Sequence, residues 1–314
     1  MDRKKVTIVG SYNVGLFLKG ATFPGVGETV IGTEFKEGGG GKGSNQALAA
    51  AKLGADVAFI GRIGNDEYGR YALKLWKEFG ISTDNIAVDP GIHSGVSVIL
   101  IDEAGRNMIM MVPGANFRLC KEDIDRAADA FERSTIVGFQ LETNFEIVEY
   151  GIRRAAAAGA RVLLDPAPAR AIPVEVLEHI WCIKPNEHEA SAISGIRVVD
   201  VASALKAGRW FLDRGVSVAL ITLGDQGAVL VTRDEQVLFS APVVEAVDTT
   251  GAGDCFSGAF MAAMASGTDI HGAIRYANCA ASISVTRLGV VEAIPAPTEV
   301  QALALKSVEE RALA

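Results

Sequence analysis

Six short runs rich in β-branched residues recur along the chain, at Val6 to Val9, Val57 to Ile60, Thr135 to Gly138, Arg161 to Leu164, Ile180 to Lys184 and Val218 to Thr222. Between them stand longer stretches with helical periodicity, near 44 to 53, 67 to 79, 145 to 158 and 201 to 214. Parallel neighbours can be joined only by a crossover, so this alternation predicts an α/β fold: a mostly parallel central sheet with helices on both faces. Two segments break the rhythm. Residues 15–37 and 93–112 carry strand-like runs and turns, Pro24-Gly25 and Glu103-Ala104-Gly105, without a helix. They predict a small separate β-sheet that leaves and returns near one place, as a lid does.

A chain of 314 residues with 49% hydrophobic content can bury one large core, and the expectation is a single domain over residues 1–314. Apolar runs break well before the roughly 18 residues a membrane helix needs. The apolar part of the N-terminus, Val6 to Gly10 after Met1-Asp2-Arg3-Lys4-Lys5, is too short for a signal peptide. A cytoplasmic protein with no membrane partner is expected. Thirty basic against 38 acidic residues, a net charge of −8 and no basic block argue against nucleic acid as a partner. Cys120, Cys182, Cys255 and Cys279 are scattered, with no C-x-x-C and no histidine at ligand spacing, so neither a zinc site nor a disulfide framework is indicated.

The run Asp248-Thr249-Thr250-Gly251-Ala252-Gly253-Asp254 precedes an Ala-rich stretch, Ala259 to Ala265, that reads as a helix. A Gly-Ala-Gly turn at a helix start leaves backbone N–H groups uncrowded, and the helix dipole adds partial positive charge. Such a turn suits a phosphate. A carboxylate one residue further on repels a bound phosphate, and its evident use is to take a proton from a hydroxyl attacking phosphorus. The pattern points to a kinase with Asp254 as base and Gly251, Ala252 and Gly253 as anion donors.

A second glycine-rich segment, Gly38-Gly39-Gly40-Gly41-Lys42-Gly43-Ser44-Asn45-Gln46, opens another Ala-rich helix. It is not a P-loop, because Gly43 stands where that motif needs Ser or Thr directly after the lysine. The glycines are expected to leave the backbone bare for a hydroxylated ligand, with Lys42 and Asn45 as directional hydrogen-bonding groups.

These segments, with Ser11-Tyr12-Asn13, Phe139-Gln140-Leu141-Glu142, Asp165-Pro166-Ala167-Pro168-Ala169-Arg170, Pro185-Asn186-Glu187-His188-Glu189 and Ile221 to Gly227, occur in the order found in the PfkB sugar kinases, the family that includes ribokinase. The chain resembles that family over about residues 5 to 297. The resemblance implies a ribokinase-like three-layer α/β/α sandwich with a small β-sheet lid. It also implies transfer of the ATP γ-phosphate to the primary hydroxyl of a small sugar, D-ribose foremost, with Asp254 as the base. Asn13, Gly41, Lys42, Asn45 and Glu142 match sugar-contacting positions. Asn186 and Glu189 match an N-x-x-E pair that organises Mg²⁺ and phosphates through water. Thr222, Gly224 and Gly227 match the nucleotide-binding turn, with Gly253 beside the phosphates and Asn278 near the adenine. Asp248, Thr250, Ser284, Arg287, Gly289 and Ala293 match loops that hold K⁺ mostly through backbone oxygens, although Ser is common where Ala293 stands.

The chain departs from the family at Gly15, where an Asp usually grips two adjacent sugar hydroxyls. Glycine there is expected to open space and remove a negative acceptor, which favours sugars that are deoxygenated, bulkier or differently configured at that end. A nucleoside kinase needs a roomier, more aromatic pocket, a nicotinamide enzyme needs G-x-G-x-x-G after the first strand, and a non-catalytic sugar-binding module has no use for Asp254. Cys255 sits at a helix N-terminus, where thiol pKa values tend to fall, yet small residues also pack at such places. His93, His179, His188 and His271 read as surface residues, and Met108, Met110 and Met111 as packing within the lid. Lids of a few open strands expose edges and apolar side chains such as Val98, Leu100 and Met110, so a homodimer through paired lids is expected.

Overall fold

The computed structural model describes residues 5–305 and 310–313. The ends of the expected 1–314 domain, residues 1–4 and 314, lie outside the described residues, as do 306–309. From the N-terminus, β1 (Lys5–Val9) leads into β2 (Asn13–Lys19), β3 (Glu34–Gly40), α1 (Lys42–Lys52), β4 (Asp56–Gly64) and α2 (Glu67–Glu78). Then follow β5 (Ser82–Asp89), β6 (Gly95–Ile101), β7 (Asn107–Val112), α3 (Lys121–Arg126), α4 (Ala128–Arg133), β8 (Ser134–Phe139) and α5 (Phe145–Ala157). The middle of the chain forms β9 (Arg161–Leu164), α6 (Val174–Leu177), β10 (Cys182–Ile183), α7 (Glu187–Ser194), α8 (Val201–Leu212) and β11 (Val218–Thr222). The last part forms β12 (Ala228–Val231), β13 (Gln236–Phe239), α9 (Ala252–Ala265), α10 (Ile270–Ser284), α11 (Pro297–Ala304) and β14 (Glu310–Ala312).

Ten strands make one sheet in the order β14-β13-β12-β11-β10-β9-β8-β1-β4-β5. Every pair from β11 to β5 is parallel, and β12, β13 and β14 add an antiparallel edge. Because strand side chains alternate, the sheet feeds two cores. Val6, Ile8 and Phe59 pack with Leu48, Trp76 and Phe260 on one face. Val9, Ile60 and Leu164 pack with Ile124, Ile152 and Phe211 on the other. All six strands expected from the β-branched runs are present, the Ile180 to Lys184 run contracting to a two-residue strand. β5 escaped the sequence reading because it is an edge strand, polar at Ser82, Asp84 and Asn85.

The second sheet has the order β3-β2-β6-β7 and draws on residues 13–40 and 95–112. β2 and β6 pair in parallel at its centre, and β3 and β7 flank them antiparallel. Register and alternation place Asn13, Gly15 and Phe17 on one face with Lys36, Gly38, Ser97, Ile99, Ile109 and Met111. Leu16, Leu18, Val98, Leu100, Met108 and Met110 share the other. Met108 and Met110 are 55% and 74% exposed, so they do not pack within the sheet as expected.

Candidate active site

Two helices cross unusually closely. A Cβ on Gly258 of α9 would lie 2.6 Å from Ala49 Cβ and 2.7 Å from the Gln46 carbonyl oxygen of α1, so glycine is what allows the approach. That crossing brings residues 209 positions apart into contact. Asp254, third residue of α9, accepts Asn45 Nδ2 at 2.9 Å on Oδ2 and Gln46 Nε2 at 3.1 Å on Oδ1. Gln46 Nε2 also reaches Asp165 Oδ2 at 3.0 Å, and Gln140 Nε2 holds Gln46 Oε1 at 2.7 Å. Asp165 takes Ser257 Oγ at 3.0 Å and Lys184 Nζ at 2.9 Å on the same oxygen. Asn45 Oδ1 is buried with no protein partner among the described residues, an acceptor aimed at something other than the protein.

Burial pushes the Asp254 carboxyl above the usual range; Lys42 draws it back down and Asp165 adds to the rise. Lys42 is held charged, first by Asp254 and then by Asp165 and Glu142, against the cost of its own burial. Burial and Asp165 likewise raise Glu189. Negative charge is therefore concentrated here beyond what Lys42 and Lys184 balance. A basic carboxylate kept partly desolvated can accept a proton from a hydroxyl placed against it.

Gly251 precedes α9 in the left-handed region, φ 76°, with Val290 where a side chain would go. Among the described residues the N–H groups of Gly251 and Gly253 have no protein acceptor, whereas the Ala252 N–H bonds the Thr249 carbonyl at 3.3 Å. The expected three-donor turn thus offers two open donors. Lys184, which sequence reasoning passed over, lies beside it, 3.3 Å from the Gly253 carbonyl oxygen. Asp248 accepts the Thr250 N–H at 2.9 Å and the Gly289 N–H at 3.1 Å, tying the two loops together. Burial would raise its carboxyl, but Thr250, Gly289 and Lys36 hold it below the usual range. Ser284 and Arg287 form the turn after α10, where the Arg287 N–H bonds the Ser284 carbonyl at 3.2 Å; the Arg287 guanidinium turns away to Glu299. Ala293 is buried.

The glycines before α1 serve the fold more than expected. Side chains at Gly41 (φ 87°) and Gly43 would strike the backbone of residues 10–13, and one at Gly39 would strike Leu75; only Gly38 faces open space. Glu142 Oε2 accepts the Lys42 N–H at 2.9 Å and Ser11 Oγ at 2.6 Å, fastening the start of α1. Asn13 is buried between Asn116 Nδ2, 3.0 Å from its Oδ1, and Met111 Sδ, 3.5 Å from its Nδ2. The expectation that Gly15 opens space is not met. A Cβ there would lie 2.8 Å and 3.2 Å from two ring carbons of Phe17 and 3.5 Å from Ile99 Cδ1. The Phe17 ring leans back over Gly15 and fills that room.

Asn186 and Glu189 form a capping box on α7, each side chain accepting the other's N–H at 2.8 Å and 2.9 Å. A parallel bridge sets Asn186 beside Thr222 at the end of β11. Gly224 (φ 55°) opens the turn that follows. Gly227 (φ 99°) is required by the fold, since a Cβ would sit 2.0 Å from the Phe239 carbonyl oxygen. Asn278 donates Nδ2 to that same oxygen at 3.1 Å and is buried, so it pins β13 instead of presenting its amide outward. The Cys255 thiol is pushed up to about 12 by burial, opposite to the expected fall.

The described residues contain no cluster of three or more His, Cys, Asp or Glu able to hold a metal, and no helix among them is long and apolar enough to cross a membrane. Gln46, Gln140, Asp165, Lys184 and Ser257 are the site residues the sequence reading did not single out. The available signal was position: Gln140, Asp165 and Lys184 follow β8, β9 and β10 directly, at the carboxyl ends where open α/β sheets bind ligands.

The family model described as "pfkB family carbohydrate kinase" matches residues 3–297. Ribokinase of Bacillus subtilis is 37% identical over 300 residues, 96% of this chain and 99% of the relative. Deoxyribokinase of Salmonella typhi is 35% identical over 291 residues, 92% of this chain and 95% of the relative. The structure of Arabidopsis thaliana ribokinase complexed with ribose and ATP superposes with a TM-score of 0.90 at 30% identity, covering 96% and 99% of the two chains. With the sandwich, the second sheet and the site all in place, the chain belongs to the pfkB family of carbohydrate kinases and is an ATP-dependent sugar kinase.

Proposed function

We propose that this kinase phosphorylates the primary hydroxyl of a small sugar, with D-ribose the first substrate to test, and that Asp254 is its base. The observation that carries the reading is one arrangement: a buried carboxylate of raised proton affinity, fixed by Asn45 and Gln46, one residue past the open N–H of Gly253. The sugar hydroxyl gives its proton to Asp254 as its oxygen bonds to the γ-phosphorus, and the bond to the ADP oxygen breaks. The N–H groups of Gly251 and Gly253 and the Lys42 ammonium face the charge that develops. Asn45 Oδ1 takes a sugar hydroxyl as its missing donor, and Asn13, Gly41 and Glu142 line the same crevice. Lid closure excludes water from the phosphate. Thr222, Gly224, Gly227 and Asn278 shape the nucleotide side.

Glu189 suits a Mg²⁺ neighbour, because its carboxyl is crowded by burial and Asp165, and Asn186 flanks it; the ion would supply charge neutralisation for the phosphates. K⁺ suits the joined loops of Asp248, Thr250, Ser284, Arg287, Gly289 and Ala293, where an anionic carboxylate meets a turn of backbone carbonyls. The apolar outer lid face, with Met110 74% exposed, supports a homodimer of paired lids, and ATP as donor supports a cytoplasmic location. The deciding experiment measures ADP formation from ATP with a panel of pentoses, deoxypentoses, hexoses, tetritols and nucleosides as acceptors; turnover confined to nucleosides, or absent throughout, rejects the reading.

A further inference from the structure

We propose that Phe17 determines which sugar the site prefers, and that it selects a sugar lacking a hydroxyl at the end facing the lid. This rests on the small-sugar reading above. The face of the lid bearing Asn13, Gly15 and Phe17 looks into the crevice: Lys36, directly across from Phe17, reaches Glu292 at 3.8 Å and lies 3.4 Å from where a Cβ on Gly289 would be. A sugar whose primary hydroxyl meets Asp254 extends past Asn45 and Asn13, and its far end then meets the next step of β2. That step carries no carboxylate. Position 15 is glycine, its cross-strand neighbours on the same face are Gly38 and Ser97, and the next row is Lys36, Phe17, Ile99 and Ile109.

Of the three consequences that a glycine at position 15 allowed, the Phe17 ring separates one. The ring occupies the room a Cβ would need, so a bulkier sugar has no added space. The ring and Ile99 offer no hydrogen bond, so a hydroxyl set against them, away from Ser97 and Lys36, loses its water partners without replacement. A methylene set there gains burial instead. The site therefore favours a deoxypentose over the fully hydroxylated pentose.

The test is a kinetic comparison of D-ribose and 2-deoxy-D-ribose on wild type, Phe17→Ala and Phe17→Leu. The ratio of the two kcat/KM values within each protein cancels any effect on lid closure or folding common to both sugars. In wild type the ratio favours 2-deoxy-D-ribose or is at least even; Phe17→Ala lowers it by about three- to tenfold, the scale of one methylene's burial. Phe17→Leu stays apolar and keeps the ratio within about threefold of wild type. The difference resides in KM, with ATP affinity unchanged. A wild type that prefers D-ribose, an unchanged ratio in Phe17→Ala, or a Leu variant that falls as far as the Ala variant overturns the proposal while leaving the kinase reading intact. No phosphorylation of either pentose overturns both.

Discussion

One amide of Gln46 is shared by two carboxylates, lying 3.1 Å from Asp254 Oδ1 and 3.0 Å from Asp165 Oδ2. Asp254 is thereby held in one orientation by neutral donors, whose hydrogen bonds draw its raised proton affinity down less than Lys42 does. Lys184, on the same Asp165 oxygen that Gln46 reaches, absorbs the second negative charge at 2.9 Å. A carboxylate locked in this way is positioned to act repeatedly on a hydroxyl without rearrangement.

Asp254→Asn keeps the shape of the side chain but cannot accept the proton. Turnover should fall by roughly 10² to 10⁴ while nucleotide affinity changes little. Steady-state kinetics with isothermal titration of ADP check both halves; near wild-type turnover would refute the assignment.

The acid limb of kcat/KM follows the same group. Asp254 acts only when ionised, its folded pKa lies above the ordinary carboxylate value, and activity is lost as pH falls through that raised value. Lys42 is the first of the groups that hold the value down, so Lys42→Met should move the limb to higher pH. A pH profile of the variant superimposable on wild type would show that the limb reports another group.

Gly258→Ala adds one methyl at the α1–α9 crossing, where 2.6 Å to Ala49 Cβ and 2.7 Å to a backbone oxygen leave no room. Helix propensity alone would make this change favourable by about 1 kcal/mol. The overlap involves backbone on both sides, so overpacking wins, at a cost of about 1 to 3 kcal/mol. The melting temperature should drop and kcat should drop with it, because Asn45 and Gln46 move away from Asp254. Calorimetry and turnover assays on the purified variant decide it.

Monovalent cations should matter in an ordered way. Asp248 joins the loop before α9 to Gly289 through one hydrogen bond of 3.1 Å, and a bound K⁺ would stiffen that junction beside the open N–H groups. Turnover should rise in K⁺ relative to Na⁺ or choline at equal ionic strength. Equal rates in the three salts would remove the cation from the scheme.

Met110→Lys places a charge on β7, at the edge of the apolar outer lid face. Light scattering should give twice the chain mass for wild type and the mass of one chain for the variant at micromolar concentration. A monomeric wild type would dismiss the paired-lid dimer.

The alternation of Val6–Val9, Val57–Ile60 and their successors with Ala-rich segments was enough to establish the layered sheet, because periodicity is a local property that each strand and helix displays on its own. Asp254, Lys42, Asn45 and the Gly251–Gly253 turn stand out in the sequence as candidates for the proposed site, since such chemistry is written within short contiguous motifs. What tertiary structure alone decided is which groups share space. Gly258 is the contact point of α9 with α1, Asn278 turned inward to the Phe239 carbonyl, and the Ala252 N–H was spent on Thr249. Position 15 shows the limit most clearly: a missing side chain reads as a gap in one dimension, but the volume it leaves belongs to whichever neighbour two residues along the same strand face can reach it, and here that is the ring of Phe17.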